Sequence, residues 1–121
     1  MGQSMRKTKE YHELIVMKPI EISGKYKMKQ VWIDDIEITP DRSLKAYKHS
    51  EDGFDWGNTG DGSAQLALAI LLDITNNKKI SIILHHLFKV QYLDPLKSAD
   101  FKIKIPIGDW FYKNLNKDIM F

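Results

Sequence analysis

The chain has 121 residues, 43% hydrophobic and 28% charged, with 18 basic and 16 acidic side chains. That length suits one domain burying roughly two-thirds of its unfolded surface, and a net charge of +2 is too mild to argue for duplex nucleic-acid binding by charge. Zero cysteines exclude disulfides, thiolate metal sites and cysteine nucleophiles. No apolar run reaches the roughly 18 residues of a membrane span, and no apolar segment of the secretory kind follows the basic start MGQSMRKTKE. The expectation is a cytoplasmic protein that meets no membrane.

In chain order, residues 1–9 read as a flexible tail, since little in them can join a core. Residues 11–22 form an apolar, β-branched run broken at Pro19, which suits an edge strand or two short strands. Ser23-Gly24 is a turn signal, and the alternation over 25–33 predicts a strand with a wet face of Lys25, Lys27 and Lys29. Asp34-Asp35 is a short turn before a strand carrying Ile36 and Ile38; Pro40–Ser43 is another turn, followed by a candidate strand over Leu44–His49. Residues 64–75 (AQLALAILLDIT) are apolar on nearly every face, which predicts a buried core helix ended by Asn76-Asn77. Residues 78–93 place Ile80, Ile83, Leu84, Leu87 and Phe88 at helical spacing before Pro95. Residues 101–107 suit a strand or an extended link, and a last helix over Asp109–Leu115 would dock Trp110, Phe111 and Leu115. Trp32 and Trp110 read most simply as core residues.

The fold class is therefore α+β: an N-terminal antiparallel meander followed by a helical C-terminal half. A single domain spans 10–121, with sheet over about 11–49, a glycine-rich loop over 50–63 and the helical part over 64–121.

Four of the seven glycines, Gly53, Gly57, Gly60 and Gly62, fall within ten residues that lead into the buried helix. A glycine-rich loop entering a helix can gather N–H groups around an anion. Phe54 and Trp56 are candidate stacking platforms for a base, while Asn58, Thr59, Ser63 and Gln65 supply neutral hydrogen-bonding groups. The loop lacks the Walker A lysine and the dinucleotide-binding spacing. The alternative reading is purely structural: a tight crossover from sheet to helix, with Phe54 and Trp56 in the core and Asp61 as helix cap.

The stretch GFDWGNTGDGSAQLALAILLDIT, led by His49-Ser50-Glu51-Asp52, resembles the hallmark of a small family of phages, prophages and bacterial genomes. Its members read like GFEWGYGGSGPAQLALALLLDVTGD after a His-Ser-Pro-like lead-in, and most have no assigned function. His86-Leu87-Phe88-Lys89 and Trp110 are similar to the family's Phe-Lys and tryptophan positions, so the resemblance covers roughly residues 44–115. The stretch also looks like the phage Thoeris anti-defence sponges, which bind cyclic ADP-ribose isomers and in some cases cyclic oligonucleotides as symmetric oligomers. The resemblance implies a non-catalytic homo-oligomer, with no cofactor, that sequesters such a messenger in the host cytoplasm. Ligand binding would fall to Phe54, Trp56, Asn58, Thr59, Gly60, Gly62, Ser63 and Gln65, with Arg42, Lys48 and His49 from the flank.

Here Asn58 stands where the family has tyrosine, and Gly60-Asp61-Gly62-Ser63 where it has Gly-Ser-Gly-Pro. An Asp61 carboxylate at the helix start competes with a phosphate for the same donors and repels it. The segment 32–62 carries three basic and eight acidic residues, a balance of −5. Positive charge for an anionic ligand must therefore come from elsewhere, with Arg42, Lys45, Lys48 and the Lys25/Lys27/Lys29 face as candidates.

Adjacent His85 and His86 point about 100° apart on a helix, so they do not form a metal pair of the i, i+4 kind. The expectation is one packed ring, one solvated ring and no metal. His12 and His49 have no visible partner. Glu51, Asp52, Asp55 and Asp61 suit a solvated loop better than a hard-cation site. Two rivals to sequestration stand: an interaction module of a phage or mobile element with a purely structural glycine motif, and a nucleotide hydrolase using His49, Asp52 and Asp55.

Overall fold

The computed structural model describes residues 7–51, 53–58 and 60–115. Four strands, β1 (Ile20–Lys25), β2 (Gln30–Ile33), β3 (Ile36–Ile38) and β4 (Phe101–Ile105), form one antiparallel sheet in the order β3-β2-β1-β4. Among the described residues five α-helices accompany it: α1 (Tyr11–Leu14), α2 (Asp41–Ala46), α3 (Asp61–Thr75), α4 (Lys78–Phe88) and α5 (Ile107–Leu115). The class is α+β, with an N-terminal meander and the long helices after it. Among the described residues no helix is long and apolar enough to cross a membrane.

Strand period two sends Ile20, Ile22, Val31, Ile33 and Ile105 into the core. The register pairs Ile22 with Ile33 on one side and with Ile103 on the other. Helix α3 is buried along nearly its whole length, with α2 and α4 packed against it. Its end is set by Asn76, which takes a left-handed φ of 49° and returns its N–H to Leu72 at 2.9 Å. Asn77 then caps α4, its side chain accepting from the Ile80 N–H at 3.1 Å.

Several segments differ from expectation for local reasons. Residues 11–14 make a helical turn, because Glu10 and Glu13 form a capping box in which the Glu10 N–H donates to the Glu13 carboxylate at 2.9 Å. Ser23-Gly24 lies inside β1, and the turn falls at 26–29 with Lys29 at φ 54°. A Cβ on Gly24 would stand 2.4 Å from Phe101 Cε1, so glycine here lets a ring lie against the strand. Lys25, Lys27 and Lys29 consequently form no single strand face. Pro19 precedes a central strand, not an edge.

Residues 41–46 are helical where a turn and strand were expected, with the Ser43 hydroxyl donating to the Pro40 carbonyl at 2.9 Å. Helix α4 stops at Phe88 and continues as a single π-helical turn over Lys89–Leu93, where the Asp94 N–H reaches the Lys89 carbonyl. Residues 101–105 join the N-terminal sheet beside β1, so the C-terminal part is not wholly helical. Most of the expected tail lies outside the described residues, but Lys9 is tied to the Thr75 carbonyl at 2.9 Å.

Candidate functional site

In the glycine-rich loop the polar groups are engaged with one another. Asp55 accepts from its neighbour's N–H at Trp56 (2.8 Å) and from the Asn58 amide (3.1 Å), and Lys29 pairs with it at 3.5 Å. Asn58 accepts from the Gly60 N–H at 2.7 Å, and the Ser63 hydroxyl donates to the Asn58 carbonyl at 2.9 Å. Gly57 has φ 87°, and a Cβ there would collide with Ser98 backbone at 2.6 Å. At Gly62 a Cβ would stand 2.4 Å from Asp55 Cβ. Asp61 is the exposed first residue of α3, and Gly60 takes the cap position expected of it.

The stacking role expected of Phe54 and Trp56 does not match their positions. Trp56 is fully buried and Phe54 is 5% exposed. Trp56 lies edge-on between Tyr26 and Phe101, and its indole N–H donates to the Ala99 carbonyl at 2.8 Å. Burial of their large apolar surface outweighs exposure for stacking and decides where the two rings go. Thr59 and Asp52 lie outside the described residues.

Gln65, buried in α3, ties the loop before the glycines to the helix. Its carbonyl accepts from the N–H groups of His49 (2.6 Å) and Ser50 (3.1 Å), and its amide donates to the Ser43 hydroxyl (2.9 Å) and the Tyr47 carbonyl (3.0 Å). Two donors and two acceptors are thereby all satisfied, as a buried amide requires.

This tie aims His49 at α4. Its Nε2 lies 2.8 Å from Nε2 of His85, and its ring also meets His86 and Tyr47. As expected, one ring is packed and the other solvated, His85 buried and His86 exposed; the two rings nevertheless do not diverge, their centroids lying 4.2 Å apart. His85 Nδ1 stands 2.8 Å from the Ile82 carbonyl, an acceptor only, so Nδ1 carries the hydrogen and Nε2 is bare. The proton in the His49–His85 contact therefore belongs to His49. Burial, followed by the charge of His86, lowers His49 below the usual 6.5, with Asp61 opposing; burial also dominates the lowering at His85. Asp55, one of the carboxylates of the hydrolase reading, is held by Trp56, Asn58 and Lys29 instead.

The flanking cations separate. Lys48 is exposed and pairs with Glu51 at 3.1 Å. Arg42 donates to the Asn76 side chain and, with Lys45 and Lys78, lines a pocket of about 240 Å³.

A larger pocket, about 510 Å³, opens on the outer face of the sheet, lined by Ser23, Gly24, Lys25, Trp32, Asp100, Phe101 and Lys102. Register explains it. Trp32, Ser23 and Lys102 are direct cross-strand neighbours on β2, β1 and β4, so a small serine sits between two large side chains. Trp32 is thus a partly exposed outer-face residue and not core. The missed signal was phase: with Val31 and Ile33 inward, Trp32 must face outward.

The family model for DUF6166, a family of unknown function, matches residues 23–111, and the chain belongs to this family. All three clustered histidines and every residue lining the sheet pocket fall inside the match. No curated protein and no solved structure matches the chain.

Proposed function

We propose that this DUF6166 chain is a non-catalytic binding protein that sequesters a nucleotide-derived second messenger, a cyclic ADP-ribose isomer or a cyclic oligonucleotide, and so blunts bacterial anti-phage defence. One observation carries the reading: the pocket of about 510 Å³ is lined by Trp32 together with Lys25 and Lys102. Its volume falls in the range of small-molecule sites. An aromatic face suits a base, and Lys102 together with Lys25, which also pairs with Asp100 of the lining at 3.6 Å, suits a pyrophosphate. In this reading the seat of the ligand moves from the glycine loop to the sheet, where the lining carries two lysines against one aspartate. The pocket lies on an open sheet face, so a second copy of the chain would complete its walls, as in a homo-oligomeric sponge acting in the host cytoplasm.

The test is calorimetric titration with cyclic ADP-ribose isomers and cyclic dinucleotides. The reading expects saturable binding to at least one, weakened on the order of 10- to 100-fold in Trp32→Ala, the loss of one stacked base. No binding across the panel, or unchanged affinity in Trp32→Ala, overturns it.

A second reading, a protein-interaction module, draws on the exposed stripe of Ile83, Leu87 and Val90 along α4 and the π-helical turn. It expects those three residues, and not Trp32, to govern binding to a partner.

A further inference from the structure

We propose that His49, His85 and His86 form a three-imidazole site for a divalent transition-metal ion, with zinc the best match. The site shares no residue with the sheet pocket and does not depend on the ligand reading.

One ring nitrogen from each histidine can be chosen so that all three lie within 4.8 Å of one another. In tetrahedral coordination with zinc–nitrogen bonds of about 2.0–2.1 Å, ligand nitrogens stand roughly 3.3 Å apart. The His49 and His85 Nε2 atoms, now 2.8 Å apart across one proton, therefore need to separate by only about 0.5 Å. Metal binding replaces that shared proton: His49 changes tautomer, giving up its Nε2 hydrogen while Nδ1 takes one from solvent, so the ring stays neutral and both Nε2 lone pairs turn to the ion. The geometry of His85 already matches a metal ligand, since its Nδ1–H donates to a backbone carbonyl and leaves Nε2 bare. His49 has its backbone clamped by Gln65. His86 is exposed, and its ring closes over the other two.

The donor set is all imidazole, which favours zinc, copper, nickel or cobalt over magnesium or calcium. Three protein ligands leave a fourth position for water. The ion would staple the 47–50 segment to α4, joining chain positions 36 residues apart in a protein without cysteine.

The experiment uses the untagged full chain, stripped with chelator and titrated with cobalt(II) and zinc. The expected result is one ion per chain, a tetrahedral cobalt visible spectrum that zinc displaces, and a raised melting temperature. His49→Ala and His86→Ala, at half-buried and exposed positions, should each weaken binding by at least about tenfold, whereas His12→Ala should not. Circular dichroism confirms folding of each variant, so loss of binding does not depend on the buried His85. Failure to saturate at micromolar metal, or wild-type affinity in both His49→Ala and His86→Ala, overturns the site.

Discussion

The carbonyl of Gln65 accepts the His49 backbone N–H at 2.6 Å from a position with no solvent exposure. A single side chain on the core helix thus fixes the segment that presents His49 to α4. Replacing Gln65 with alanine leaves the His49 and Ser50 N–H groups and the Tyr47 carbonyl without this partner. The expected cost is about 3 kcal/mol. Urea denaturation reads it, and hydrogen exchange should show the loss concentrated at residues 47–50.

Trp56 lies in the core, so Trp56→Ala acts on stability. The cavity and the lost bond to Ala99 should cost about 3–5 kcal/mol, with Trp56→Phe milder. A folded Trp56→Ala protein of wild-type melting temperature would contradict this placement.

Gly62→Ala tests the packing reading of the glycine loop. Its new Cβ meets Asp55 Cβ at 2.4 Å, which should lower stability by about 1–3 kcal/mol through overpacking. Were the glycine there only to bind an anion, the melting temperature would stay put.

Tyr92 supplies a pH-dependent test. Burial raises its phenol above the ordinary 10.0, so the folded state holds its proton longer than the unfolded chain. Its contribution to stability is therefore present below pH 10.0 and declines as pH rises past that value. Melting temperatures measured at alkaline pH should fall less steeply in Tyr92→Phe than in the wild type.

These predictions fall where the sequence was least legible. The run 64–75 is apolar on nearly every face, so a buried helix there was plain from its residues alone. Helices α1 and α2 are one or two turns long and depend on caps and tertiary contacts more than on periodicity. Gly24 reads as a turn until Phe101, 77 positions away, is seen to need its missing Cβ. The histidine cluster was hidden for the same reason, because His49 and His85 meet only through Gln65 and α4. At Trp32 the information was local, since the alternation of Val31 and Ile33 already turned it outward. The −5 segment holds the glycine loop, and the sheet pocket draws its lysines, Lys25 and Lys102, from outside it.

The most direct test of sequestration at the sheet pocket is to load the wild type and Trp32→Ala with cyclic ADP-ribose isomers, remove free ligand, heat-denature, and analyse the released nucleotide by chromatography. The account predicts one unaltered messenger recovered from the wild type and little from Trp32→Ala. A chemically changed product, no recovered nucleotide from the wild type, or equal recovery from both proteins would contradict it.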